Sequence, residues 1–412
     1  MTKILITELQ QRKLKEVFPY ILSTPFYSQK LSDIIVDRWL NDPIKHLSRI
    51  PFTSKQELRF TSALERTPLD VSELIGFFSS SGTTGQPSVY AWSKDDQKVY
   101  EEISGRLLWN IGVGPGDVTV MPMRMGMSLS WYLILSEMRA VGASVVPLGA
   151  ASFDEITKTL VSYPITILKT SPIIASRLFR YIEEKDISLF SKMQLRQIHL
   201  AGYFSSNARK KRLAKQWEVD CYDMYGISEF GLVSGECPAR EGQHFCADFA
   251  MVEVLAPENQ LPVNEGQAGI AVYTSLWKKG SPLLRYWSND FVILNDPDCS
   301  CGLDLPKLTF QGRNLDSAVI GGNRIFARDV ENVLFSYEGI ADEYLVKIFG
   351  SEERLWCEVQ VETLGKVQSK RLKDHLYNLI GAPIELKLLP MQTLDREKQK
   401  PIRIVDYREK SV

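Results

Sequence analysis

Between residues 93 and 230 the chain alternates short apolar runs with amphipathic stretches, and no other feature restricts its fold as much. Ser93 followed by Asp95 and Asp96 predicts a helix start, with Val99, Ile103 and Leu107 on one face. Val118–Met123, Ala143–Leu148, Ile165–Leu168, Gln197–Leu200 and Val219–Tyr225 read as buried strands. Ser152 with Glu155 forms a capping box, and Ile173–Glu184 and Ser205–Glu218 read as the next helices. Strands separated by helices cannot close as hairpins; they imply βαβ units and a mainly parallel sheet. From 245 to 311 the pattern turns β-rich, with strands at Met251–Leu255 and Gly269–Tyr273. Beyond 312 a smaller unit reads as helix Arg328–Phe335, strands Glu343–Ile348 and Leu355–Val361, helix Gln368–Leu379 and strand Ile384–Leu389. The expected fold is α/β: a large body over 1–312 with mixed and parallel sheets, and a small α+β domain over 313–412.

A chain of 412 residues, 44% of them hydrophobic, can bury more than one core. Its 49 basic and 50 acidic residues cancel, so no global field recruits nucleic acid or an anionic membrane. Lys210-Lys211-Arg212 is the best local basic run, read as the solvated face of a helix. The start is broken by charge too early for a secretory signal, and no apolar run is long enough to span a bilayer. A cytoplasmic location and no membrane association are the expectations. Six cysteines in such a chain do not suggest a disulfide scaffold.

Apolar Ile75–Phe78 runs into Ser79-Ser80-Ser81-Gly82-Thr83-Thr84-Gly85-Gln86-Pro87. Small hydroxyl residues and two glycines let several N–H and O–H donors surround an anion. No Gly-Lys-Ser/Thr ends the run, so it is not a Walker A loop. On composition alone a flexible linker is the commoner reading of such a run. The following Ser88-Val-Tyr-Ala-Trp reads as a second strand and makes the run a strand–loop–strand turn.

The run resembles the signature loop of the acyl-adenylate-forming superfamily, and Ser88 in place of the common Lys matches its phenylacetate–CoA ligase-like branch. Tyr222-Asp-Met-Tyr225-Gly226-Ile-Ser228-Glu229 is similar to the family's Tyr-Gly-x-Thr/Ser-Glu element. Its aromatic face would stack on adenine, and its carboxylate would hold Mg²⁺ against phosphate oxygens. Leu284-Arg285-Tyr286-Trp287-Ser288-Asn289-Asp290 resembles the Tyr-Arg-Thr-Gly-Asp element, with Trp287, Ser288 and Asn289 as departures. Gly312-Arg313-Asn-Leu315-Asp316 and Gly321-Gly322-Asn-Arg-Ile resemble the hinge and the first loop of the family's mobile C-terminal domain. Gln399-Lys400-Pro-Ile-Arg403-Ile-Val-Asp406 resembles its terminal Gly-Lys stretch, with Lys398 as a competing lysine. Thr24-Pro-Phe-Tyr27 and Ile50-Pro-Phe-Thr-Ser-Lys55-Gln-Glu-Leu58 look like the helical lead-in of the named branch.

The resemblance implies ATP-dependent activation of a carboxylic acid to acyl-AMP, then transfer to a thiol. Residues 1–312 would be the AMP-binding, acyl-activating domain and 313–412 the mobile cap. Ser80, Ser81, Gly82, Thr83, Thr84 and Gly85 would hold phosphates, with Tyr225, Gly226 and Ser228 at the nucleotide. Glu229 would hold Mg²⁺, Asp290 and Arg313 the ribose, and Lys400 the carboxylate and α-phosphate. The thiol would be coenzyme A or the phosphopantetheine arm of a carrier protein. The acid would be aryl or small and hydrophobic; Met125–Leu133, with Trp131 and Tyr132, stands where relatives line the acyl pocket with a glycine-rich helix start, and these bulkier side chains would shrink or reshape it. A homodimer is also implied. Transfer of AMP to another acceptor, and nucleotide binding without catalysis, stay open as other readings.

Cys237 and His244, with Cys299 and Cys301 one residue apart, offer four ligands for a tetrahedral, structural Zn²⁺. Cys246 could replace His244, and uncoordinated thiols are the alternative. His46, His199 and His375 read as structural or solvated imidazoles, Cys221 and Cys357 as small core residues.

Overall fold

A computed structural model describes residues 3–33, 41–80, 87–351, 354–396 and 401–408 of the chain. It forms two compact units. The first comprises Met1–Leu168, Tyr222–Ser288 and Val292–Thr309; the second comprises Lys169–Cys221, Asn289–Phe291 and Phe310–Val412. No described helix is long and apolar enough to cross a membrane.

In the first unit, helix Lys3–Leu22 buries Leu14, Val17, Phe18 and Ile21 against Leu47, Ile50, Leu276 and Leu284. Strands Leu74–Ser79 and Val89–Ser93 pair antiparallel, with Ser79 opposite Val89. They are the two arms expected around the Ser/Gly/Thr run. Ser93 and Asp96 form the capping box that starts helix Lys94–Asn110, where Ile103 and Leu107 are buried and Val99 half-buried. Seven strands neighbour one another in the order Ala250–Leu255, Gly269–Ser275, Tyr286–Asn295, Lys307–Arg313, Gln243–Phe245, Gly231–Glu236, Asp220–Ile227. Val118–Val120 lies parallel between Ser144–Val146 and Ile167–Thr170, as the βαβ pattern requires. The first two of these are shorter than expected. Pro122 and Pro147 follow them, and a ring without an N–H cannot extend a ladder.

In the second unit the segment after Phe310 has a core of its own. Strands Ile384–Leu389, Trp356–Thr363, Ile340–Phe349 and Ile404–Asp406 are neighbours in that order; the central pair is antiparallel and both outer pairs are parallel. Helices Ala327–Leu334 and Ser369–Ile380 set Val330, Leu334, Leu372 and Leu376 against Val346, Ile348, Val359 and Val361. This is the α+β module expected there, and Cys357 sits in its core.

Helices Pro172–Asp186 and Asn207–Trp217 meet that module chiefly through charge. Arg177 pairs with Glu343 at 2.7 Å, Arg180 with Asp342 at 2.6 Å and Arg209 with Glu331 at 2.8 Å. Ala208 is the half-buried apolar residue the helices add to the module's core. The basic run at 210–212 therefore differs from its expectation. Lys211 is exposed, but half-buried Arg212 donates to the carbonyls of Phe335, Tyr337 and Ile340, because its helix face is covered.

Candidate nucleotide site and metal centre

Three separate sequence motifs meet at one carboxylate oxygen. Glu229, only 2% exposed, follows strand Asp220–Ile227. Its Oε1 accepts a hydrogen bond from the Tyr90 hydroxyl at 2.9 Å, and Tyr90 lies on the strand leaving the Ser/Gly/Thr run. The same Oε1 accepts from the Tyr286 hydroxyl, also at 2.9 Å. Lys55 Nζ stands 3.7 Å away, and buried Lys278 donates to the Glu229 main-chain carbonyl at 2.7 Å. Burial pushes the Lys278 ammonium down to about 8.

Local chemistry explains these placements. Ser54 and Glu57 form a capping box that starts helix Lys55–Phe60. The residues before it pair as an extended segment with the Arg285–Trp287 stretch: Thr53 N–H donates to Arg285 O, and Trp287 N–H to Thr53 O, both at 2.9 Å. That register brings Lys55 and Tyr286 to Glu229. Arg285 locks it, with a bidentate pair to Glu253 and bonds to the carbonyls of Ser48 and Ile50. Gly226 is required where it stands, since a Cβ there would lie 2.9 Å from Gly231 O across the tight turn.

Of the expected phosphate residues, Ser80 is described, and it closes the base of the loop. Its N–H donates to Ser88 O at 2.9 Å, and its Oγ accepts from Ser88 N–H at 3.1 Å. Ser81, Gly82, Thr83, Thr84 and Gly85 lie outside the described residues, as do Lys398, Gln399 and Lys400. Tyr225 is buried, with its ring 6.4 Å from that of Tyr273; Ser228 is half-buried and Gly226 exposed. Phe78 and Tyr132 stack at 4.8 Å, and Trp131 donates to Gly126 O.

In the second unit, Arg313 Nε lies 3.4 Å from the Asp290 carboxylate. The departure at Asn289 has a conformational reason. Its φ is 62°, in the left-handed region open to glycine and more accessible to Asn than to most residues, so Asn can take the glycine position before Asp290 in strand Tyr286–Asn295. Asp316 joins the hinge-like motif to the terminal one. Its Oδ1 accepts from the backbone N–H of Arg403 at 2.7 Å and of Ile404 at 3.0 Å, and Oδ2 accepts from the Tyr203 hydroxyl. Burial raises its pKa despite these donors.

Cys237, His244, Cys299 and Cys301 place all four ligand atoms within 4.8 Å of one another. Cys237 and Cys299 have their sulfurs 3.6 Å apart, against roughly 3.8 Å for two thiolates on one tetrahedral Zn²⁺. His244 Nδ1 is 3.1 Å from Leu305 O, which fixes the ring so that Nε2 faces Cys301 Sγ at 3.1 Å. This donor set fits a tetrahedral metal. Cys246 is buried outside it, beside Arg106 and Asp248. His199 bonds Gln197, and exposed His375 bonds Tyr337.

Tyr90, Tyr286 and Lys55 lie within the sequence motifs, but nothing local in the sequence gives them a role. Lys278 carried no signal at all, because a lone lysine before Lys279-Gly280 reads as surface.

Residues 322–408 match the family model of the AMP-binding enzyme C-terminal domain. The phenylacetate–coenzyme A ligase of Thermus thermophilus is 27% identical, the alignment covering 97% of this chain and 96% of that one. The enzyme of the same name from Escherichia coli is 21% identical over 97% and 94%. Among solved structures, 2-hydroxyisobutyryl-CoA ligase with 2-HIB-AMP in its postadenylation state has a TM-score of 0.88 at 19% identity, covering 98% and 90%. The same ligase with 2-HIB-AMP and CoA in its thioesterification state scores 0.72. The chain thus carries an AMP-binding enzyme C-terminal domain over 322–408, and along nearly its whole length it is similar to phenylacetate–coenzyme A ligases.

Proposed function

We propose that the protein is an AMP-forming acid–CoA ligase that activates a carboxylic acid with ATP and transfers the acyl group to coenzyme A. The observation that carries this reading is the convergence on Glu229. Tyr90 from the loop hairpin and Tyr286 from the Arg-Tyr-Trp-Ser-Asn-Asp element bind the carboxylate of the Tyr-Gly-Ile-Ser-Glu element. Unrelated surface residues have no reason to join three nucleotide motifs at one atom.

The substrate carboxylate attacks the α-phosphorus of ATP; the new acyl–phosphate bond forms as the bond to pyrophosphate breaks. The thiol of CoA then attacks the acyl carbon, and AMP leaves. Little covalent chemistry falls to the side chains, which position groups and offset charge. The 80–85 run orients the β- and γ-phosphates, Asp290 and Arg313 hold the ribose, and Lys400 neutralises the charge that develops between the carboxylate and the α-phosphate. Glu229 is the ligand for Mg²⁺, which would neutralise phosphate charge there. Residues 313–412 are the moving cap, with the boundary near 312. The acid is aryl or small and hydrophobic: two relatives are named for phenylacetate, a structural neighbour for 2-hydroxyisobutyrate, and Phe78, on the strand that enters the loop, stacks on Tyr132, which in turn meets Trp131.

Chromatography of incubations with ATP, CoA and single acids tests the reading. Formation of an acyl-CoA with stoichiometric AMP is expected. AMP transfer to another acceptor, or loading of a pantetheinylated carrier but not CoA, would refute the acid–CoA assignment. The Cys237/His244/Cys299/Cys301 cluster holds a structural Zn²⁺ in this reading. Metal analysis should return one zinc per chain in the wild type and none in Cys301→Ser; zinc-free wild-type protein with unchanged melting would contradict it.

A further inference from the structure

We infer that Tyr90 and Tyr286 are positioning residues that dedicate one oxygen of Glu229 to the protein and turn the other, Oε2, toward the metal of the nucleotide. The inference rests on Glu229 being the metal ligand, as proposed above.

Among the described residues, every polar contact of the carboxylate falls on Oε1: both phenol hydroxyls at 2.9 Å and Lys55 Nζ at 3.7 Å. Oε2 takes no part in this set. Two donors that approach one oxygen from different strands fix the carboxylate's rotation about its last bond, a torsion that is otherwise soft. Neither phenol can follow a moving carboxylate. Tyr90 is buried, its ring flanked by the Arg66 guanidinium and the Lys278 ammonium, each 5.3 Å from the centroid. Tyr286 is buried and bridged to Thr53. Lys278, bonded to the Glu229 carbonyl, holds the main chain as well. The carboxylate is thereby shaped as a one-oxygen ligand. That suits a small octahedral cation which takes one or two carboxylates together with phosphate oxygens, and it disfavours a larger ion needing a bidentate group.

Calorimetric titration of ATP, with Mg²⁺ and with chelator, tests this without relying on turnover. The wild type should bind ATP more tightly with Mg²⁺. Tyr90→Phe and Tyr286→Phe should each lose about tenfold of that gain, the strength of one hydrogen bond to a charged group, while binding metal-free ATP as before. Phe variants that keep the full Mg²⁺ gain, or a wild type that has none, overturn the inference. If Tyr90→Phe lowers the melting temperature, Tyr286→Phe carries the same test. A wild type with the Mg²⁺ gain but no acid-dependent chemistry defeats the ligase reading and leaves this inference standing.

Discussion

Each unit buries carboxylates, but it satisfies them differently. In the first, Glu229 is met by two neutral hydroxyls, with the half-exposed Lys55 beyond hydrogen-bond distance. In the second, Glu331 receives the Arg209 guanidinium, and Glu343 receives both Arg177 and Arg403. A hydroxyl orients a carboxylate and leaves its charge largely uncancelled; a guanidinium cancels the charge as it binds. Glu229 has its hydroxyls at 2.9 Å and its lysine partner farther off at 3.7 Å, whereas Glu331 and Glu343 are struts whose loss leaves a buried positive charge unpaired. Equal burial does not mean equal role.

The largest expected effect comes from breaking a strut. Glu331→Gln strands Arg209, which is 1% exposed, and should cost about 3–5 kcal/mol in urea unfolding. Glu229→Gln should do the reverse. Its stability should change little, while acid-dependent adenylation falls roughly 10²–10³-fold, the scale of losing one fixed electrostatic group. Similar stability losses in both variants would erase the contrast.

Acid sharpens it further. Burial opposes ionisation of Glu343, but Arg403 and Arg177 outweigh it and hold its pKa below the ordinary 4.5. The folded state thus binds this proton less tightly than the unfolded chain. Its contribution is complete above pH 4.5 and is lost as pH falls through the depressed value. Urea midpoints measured from pH 6 to 3 should show that loss, and Glu343→Gln should flatten it. The smallest effect belongs to exposed Lys211, whose change to Ala should alter stability by no more than about 0.5 kcal/mol.

The legible part of the molecule was the part written in local pattern. The Ser93, Ser152 and Ser54 helix starts form capping boxes; the first two follow from their own residues, and the third lies within a motif that carries the family resemblance. Strand Ile384–Leu389 and the four metal-ligand candidates also stand where their spacing put them. What escaped was partnership across long chain separations. Tyr90 and Glu229 are 139 residues apart and Tyr286 and Glu229 57, so periodicity carries no trace of their bond. Arg212 was misjudged for the same reason: its composition reads as solvated, and only the packed helix face shows three carbonyls waiting for it. Lys278 is the extreme case, a buried ammonium that no local rule predicts.

The most direct test of the central claim is ATP–pyrophosphate exchange by the wild-type protein over a panel of aryl and short aliphatic acids. Saturable exchange that requires one of these acids, and that gives way to AMP release when CoA is added, is the predicted result. A protein that binds ATP but supports exchange with no acid in the panel would contradict the account.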